Sequence, residues 1–144
     1  MIEIKNISAE ETYAVRLEVL RKNIDLPYKF NGDLDTDTFH LGAFNKGELI
    51  AISSFMNVKN NHFKGTQYQL RGMATLEQYQ GFGIGKLLIM EAEKILNSLN
   101  VDCLWCNARI IAVDFYKKQG FRTFEEKFNI PLIGDHFVMY KYLK

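Results

Sequence analysis

Apolar residues alternate with polar ones at the start of the chain and again through its first half. They change to a helical spacing past residue 83. Ile2-Glu-Ile4 alternates as a short strand. Ser8-Ala-Glu-Glu11 is a capping-box pattern, in which the serine oxygen and a glutamate side chain each satisfy a free amide. The helix it starts is expected to carry Tyr13, Leu17 and Leu20 on one stripe, with Val15 and Val19 beside it. Residues 23–38 contain Pro27, Gly32 and several aspartates and read as an irregular wall or lid. Phe39–Phe44 and Leu49–Val58 read as strands joined by a turn at Asn45-Lys46-Gly47. After a second turn at Lys59–Gly65, Thr66–Ala74 completes an antiparallel meander. Ile84, Leu87, Leu88, Ala92, Ile95, Leu96 and Leu99 then recur at helical spacing over about Gly83–Leu99. Val101–Asn107 is a further strand. Ile111–Gln119 is a short helix that Gly120 stops. Phe121–Phe128 and Phe137–Tyr142 are two closing strands, with Pro131 and Gly134 in the loop between them. The sequence thus predicts one mixed α/β domain over residues 1–144, with a parallel strand–helix–strand crossover around residues 83–99.

Composition narrows the function classes. The chain of 144 residues is 47% hydrophobic and 24% charged, values of a folded globular protein. Eighteen basic against 17 acidic residues leave a net charge of +1. That excludes attachment to nucleic acid or to an anionic membrane by bulk charge. The N-terminus has no basic start followed by an apolar run, and no apolar stretch is long enough to span a bilayer. A cytoplasmic protein is expected. Cys103 and Cys106 have the spacing of a redox pair, but they fall in a strand, where positions three apart face opposite ways. They are expected to be two separate packed thiols. His40, His62 and His136 are far apart in sequence, and no metal site is expected.

Gln80-Gly81-Phe82-Gly83-Ile84-Gly85-Lys86 follows a strand and opens a helix. Alternating glycines let backbone amides turn inward unobstructed, and a helix start adds unpaired amides with a partial positive charge. Together they form a cradle suited to a pyrophosphate, to which Lys86 can add charge. The motif is not a P-loop: Gln80 stands where the first glycine belongs and Leu87 where the hydroxyl belongs. It is not a Rossmann fingerprint either, because the third glycine position is Lys86.

The glycine turn is preceded by Leu70-Arg-Gly-Met-Ala-Thr75. It is followed by Asn107-Ala-Arg109 and by Ala112-Val-Asp-Phe-Tyr-Lys-Lys-Gln-Gly-Phe121. This succession, with the Gln-x-x-Gly-x-Gly of residues 80–85, resembles the GCN5-related N-acetyltransferase (GNAT) family, well over residues 39–144 and in outline over 1–38. The resemblance implies a V-shaped gap between the parallel strands ending near Thr75 and Asn107, with acetyl-CoA as cosubstrate inside it. It implies backbone contacts from Met73 and Thr75 to the pantetheine arm and thioester. The CoA pyrophosphate would lie on the amides of Gln80, Gly81, Phe82, Gly83, Gly85 and Lys86, and the Asn107 side chain would meet the pantetheine amides. Tyr116 would return a proton to the departing thiolate.

The reaction implied is direct attack of a primary amine, from a small molecule or peptide, in a ternary complex. A homodimer is compatible with such a fold. The strand Thr66–Ala74 has Gln67 and Gln69 where many family members carry a glutamate base. The base is therefore open among Glu125, Glu126, His136 and a water chain. Asp25, Asp33, Asp35 and Asp37 could attract a cationic amine. A non-catalytic acyl-CoA-binding sensor or scaffold of the same fold is the alternative.

Overall fold

The computed structural model describes residues 1–144. Seven strands form one sheet: β1 (Ile2–Ile7), β2 (Phe39–Asn45), β3 (Glu48–Met56), β4 (Gln67–Thr75), β5 (Cys103–Arg109), β6 (Arg122–Ile130) and β7 (Gly134–Tyr142), in the spatial order β1-β2-β3-β4-β5-β7-β6. All neighbours are antiparallel except β4 and β5. The helices are α1 (Ala9–Val15), α2 (Ile84–Ser98) and α3 (Val113–Lys118). The order of elements is the one the hydrophobic pattern predicts.

Local chemistry explains several boundaries. The capping box forms, with the Ser8 amide donating to Glu11 Oε1 at 2.9 Å and the Glu11 amide to Ser8 Oγ at 3.2 Å. The β2–β3 hairpin closes on Lys46 and Gly47, both at positive φ, as a two-residue turn that suits the strand twist requires. Strands β6 and β7 extend further into their connection than the sequence predicts, leaving a short turn around Pro131–Ile133.

Two stripes are displaced from the prediction. On α2 the buried face is Ile84, Leu88, Ile89, Ala92 and Leu96, while Leu87 and Leu99 are exposed. On α1 the buried positions are Ala9, Thr12 and Val15, followed by Arg16 at the start of a π-helical turn over Arg16–Leu20. Leu17, expected to be inside, is exposed. Arg16 is fully buried because Asp33 meets it with both carboxylate oxygens, at 2.7 and 2.9 Å. Ser54 Oγ and the Tyr28 carbonyl accept its remaining NH protons, although Nε has no partner. This pair ties residues 28–33 to the sheet. His40 Nε2 donates to the Asp33 carbonyl at 3.0 Å and its Nδ1 lies 2.7 Å from Ser54 Oγ, which holds the ring beside the pair.

The main core gathers 24 buried hydrophobic residues from the sheet and helices. Cys106 belongs to it, whereas Cys103 packs with Phe63 and Trp105 in a separate cluster. The two thiols are free, buried and on opposite faces of β5. Burial pushes the Cys103 thiol up to about 11 and Cys106 higher still.

Candidate active site

The site is made where the sheet stops pairing. β4 and β5 run parallel from Gln67 opposite Cys103 to Leu70 opposite Cys106, and the ladder ends there. β4 continues to Thr75 along β3, and β5 to Arg109 along β7. Two strands held by different partners diverge, and the gap between them is a cavity of about 690 Å³. The β3–β4 register shifts between Ile52 and Ser54, across from Gly72 and Met73, and Gly72 takes φ 61°. Such a bulge re-aims the strand. Beyond it Ala74 pairs with Ile52, and the Leu76 amide bonds the Ile50 carbonyl. Alternation along an antiparallel strand turns the amides of Met73 and Thr75 the other way, toward the gap.

The glycine turn forms the mouth. Gly81 and Gly83 have φ of 85° and 79°, and a Cβ at either position would meet nothing within 4 Å. Glycine is needed there for the left-handed backbone, not for space. Gly83 caps α2 with no side-chain hydrogen bond, and the first helical amide to find a partner is that of Leu87, on the Gly83 carbonyl. The amides of Ile84, Gly85 and Lys86 are therefore the unpaired donors of this helix start. Gly85 is required for a different reason: a Cβ would lie 2.9 Å from Phe115 Cζ. The close approach seats α3 against α2. The Gln80 side chain donates to the Thr75 carbonyl at 2.9 Å, and its amide bonds Glu77. Gln80 thus fastens the turn to the end of β4.

Tyr116 is buried between Phe115 and Phe121, with ring centroids at 5.1 and 5.3 Å. Its hydroxyl donates only to Met73 Sδ, at 3.9 Å, a weak acceptor. Burial, helped by the nearby Cys106 sulfur, raises its pKa well above the usual phenol value. It stays protonated throughout the neutral range.

Met73, Thr75, Gln80, Gly81, Gly83, Gly85, Asn107 and Tyr116 therefore share one cavity. Phe82 and Lys86 are not in its lining; both are exposed on the outside of the turn. Asn107 is exposed and makes no side-chain hydrogen bond within the chain. Of the three side chains considered as bases, His136 lines the cavity, while Glu125 and Glu126 are exposed on the bulge of β6. His136 is buried, and its Nδ1 faces the Gly134 carbonyl at 2.8 Å. That carbonyl needs a donor, so Nδ1 carries the proton and the lone pair of the neutral ring lies on Nε2.

The aspartates are not where the sequence suggests an amine site. Asp33 is consumed by Arg16, and Asp25, Asp35 and Asp37 are exposed and outside the cavity. Arg21, Phe30, Arg71 and Arg109 line it instead. The sequence reading missed them because single arginines scattered over three segments carry no pattern. Arg71, between the core residue Leu70 and Gly72, was the one local signal.

Known proteins share this architecture. Residues 2–121 match the acetyltransferase (GNAT) family. A relative described as an uncharacterized N-acetyltransferase, YitI of Bacillus subtilis, is 42% identical over all of this chain and 98% of its own. A GNAT-family acetyltransferase structure from Staphylococcus aureus superposes with a TM-score of 0.78 at 21% identity, covering 100% of both chains. The PaiA N-acetyltransferase of Thermoplasma acidophilum, solved in complex with coenzyme A, does so with 0.74 at 21% identity over 99% of each. The chain belongs to the GNAT family, the acetyl-CoA-dependent N-acetyltransferases.

Proposed function

We propose that this protein transfers the acetyl group of acetyl-CoA to a primary amine by direct attack within a ternary complex. The observation that carries the reading is the unpaired stretch of β4 and β5. It opens a slot bounded by inward amides, an uncapped helix start and a buried phenol.

In this reading the amides of Ile84, Gly85 and Lys86, with the α2 dipole, hold the CoA pyrophosphate. The Met73 and Thr75 amides and the Asn107 side chain align the pantetheine arm. An amide directed at the thioester oxygen stabilises the charge that develops there during attack. A neutral amine nitrogen bonds the carbonyl carbon and the C–S bond breaks. The phenol of Tyr116 gives its proton to the departing thiolate. His136 Nε2 takes the surplus proton of the amine, directly or through water, and solvent exchange restores both groups. No covalent enzyme intermediate is needed, and the raised thiol pKa of Cys106, the cysteine in the cavity lining, speaks against one.

Two outcomes test the roles. Gly83→Val puts a β-branched residue at φ 79°, where it is strained, so the backbone that aims the cradle's amides must shift. CoA binding by calorimetry is expected to weaken at least about tenfold, a loss on the order of 1.4 kcal/mol. Unchanged affinity would remove the cradle from the account. His136→Gln is expected to lower kcat by about a hundredfold, with CoA affinity nearly unchanged. An unaltered kcat would assign the base to water.

A further inference from the structure

The half of the cavity away from the glycine turn is strongly cationic. Arg21, Arg71 and Arg109 line it, and no Asp or Glu side chain lines any part of the cavity. None of the three is in an ion pair. The Arg71 guanidinium makes no hydrogen bond; it stacks 4.4 Å from the centroid of the Phe30 ring. Arg21 lies 5.5 Å from the same centroid and donates to the carbonyls of Pro27 and Leu20. Arg109 reaches the Leu20 carbonyl at 3.4 Å. Carbonyls orient a guanidinium without neutralising it. Arg16 stands over the same ring and is fully neutralised by Asp33, so this chain does supply a carboxylate to a cation it keeps inside. Burial disfavours the charge on all three lining arginines; the repulsion of neighbouring guanidinia adds to it at Arg21, and at Arg71 that of Arg16 adds to it while the Asp33 carboxylate works the other way. Cations gathered in a partly buried site without a partner are matched to an anion that binds there.

The position excludes the cofactor's phosphates as that anion. Arg71 precedes Thr75 by four residues, roughly 13 Å of strand, and the glycine turn lies beyond Thr75. The bulge at Met73, where the thioester would sit, separates the two ends.

We propose that the acceptor amine carries an anionic group, a carboxylate or a phosphate, which Arg71 and Arg21 clasp while Arg109 adds its field. This rests on the acetyl-transfer reading and names the acceptor class for it. An arginine fork meets either anion with two parallel hydrogen bonds and thereby fixes where the amine nitrogen lies. Phe30, fixed through its amide to Asp33 Oδ2 at 2.8 Å, keeps the two forks on one wall.

Matched pairs test the proposal. Thiol release from acetyl-CoA is measured with amino acids against their neutral amides, and with O-phosphoethanolamine against ethanolamine. In parallel, calorimetry on CoA-loaded protein compares N-acetyl amino acids, and N-acetyl phosphoethanolamine, with their uncharged counterparts. The anionic member of at least one pair is expected to be preferred at least about tenfold, and the preferred pair separates carboxylate from phosphate. Arg71→Gln should raise KM for the anionic acceptor about ten- to a hundredfold, leave KM for acetyl-CoA within about twofold, and be partly rescued by Arg71→Lys. Arg21→Gln, at a more exposed position, gives the same test if Arg71→Gln does not fold. Equal or better performance of the neutral members overturns the proposal, as does the absence of anion binding in calorimetry. If CoA binds and no amine is turned over, the transfer reading fails, while the binding comparison still decides the anion site.

Discussion

Replacing Tyr116 with phenylalanine is expected to lower kcat by about a hundredfold or more at neutral pH, with KM for acetyl-CoA nearly unchanged. The expectation follows from what the hydroxyl does and does not touch. It is buried, its one partner is the Met73 thioether at 3.9 Å, and removing it strands no strong acceptor. The stability change should therefore stay small, within about 1 kcal/mol. The ring contacts to Phe115 and Phe121 persist in the variant. What disappears is the proton for the thiolate, and positioned acid–base groups contribute about two to four powers of ten. The pH profile gives a second readout. Because burial holds the phenol protonated well past its usual range, the wild-type rate should show no Tyr116 limb up to about pH 10. Full turnover by Tyr116→Phe would remove the residue from the mechanism.

The largest effect on stability is expected at Asp33. Asp33→Ala leaves the fully buried Arg16 with its charge uncompensated and frees the Phe30 amide as well. Breaking one partner of a buried pair typically costs about 3–5 kcal/mol, which urea denaturation resolves easily. The double replacement Arg16→Met with Asp33→Leu removes both charges and should recover part of that loss. A double variant as unstable as Asp33→Ala would show that the pair matters for more than its charges. Burial raises the Asp33 carboxyl, but the hydrogen bonds from Arg16 and the Phe30 amide, with the Arg16 charge, outweigh it and hold the pKa below the ordinary value. A carboxylate depressed in the folded state contributes fully above its unfolded pKa. Its contribution is lost as pH falls through the lower, folded value. Wild-type stability should thus decline on acidification, and Asp33→Ala should show a weaker decline. Asp33→Ala should also impair catalysis, because Phe30 and Arg21 lose the anchor of their segment.

The course of the chain was readable wherever side-chain periodicity reports a single buried face. The meander, α2 and the Gly120 stop all have that character. It failed at α1, where the inward position is an arginine. No hydrophobicity pattern predicts a buried cation, because the partner that permits it, Asp33, lies 17 residues away in an irregular segment. The split between β4 and β5 was legible only through resemblance. It depends on which strand holds each beyond Leu70 and Cys106, and that follows from the insertion of β7 between β5 and β6. The glycine turn carried its own signal, because positive φ at Gly81 and Gly83 demands the residue type the sequence displays. The opposite wall carried almost none beyond Arg71 in its strand: Phe30, Arg71 and Arg109 come from three distant segments that the fold brings together.

Initial-rate kinetics of thiol release, with acetyl-CoA and an amine varied together, test the central claim most directly. The account predicts turnover that requires both substrates and intersecting double-reciprocal lines, the pattern of a ternary complex. Parallel lines would indicate an acetyl-enzyme intermediate and contradict it. So would CoA binding without turnover on any amine, which would make the protein an acyl-CoA sensor with the same cradle.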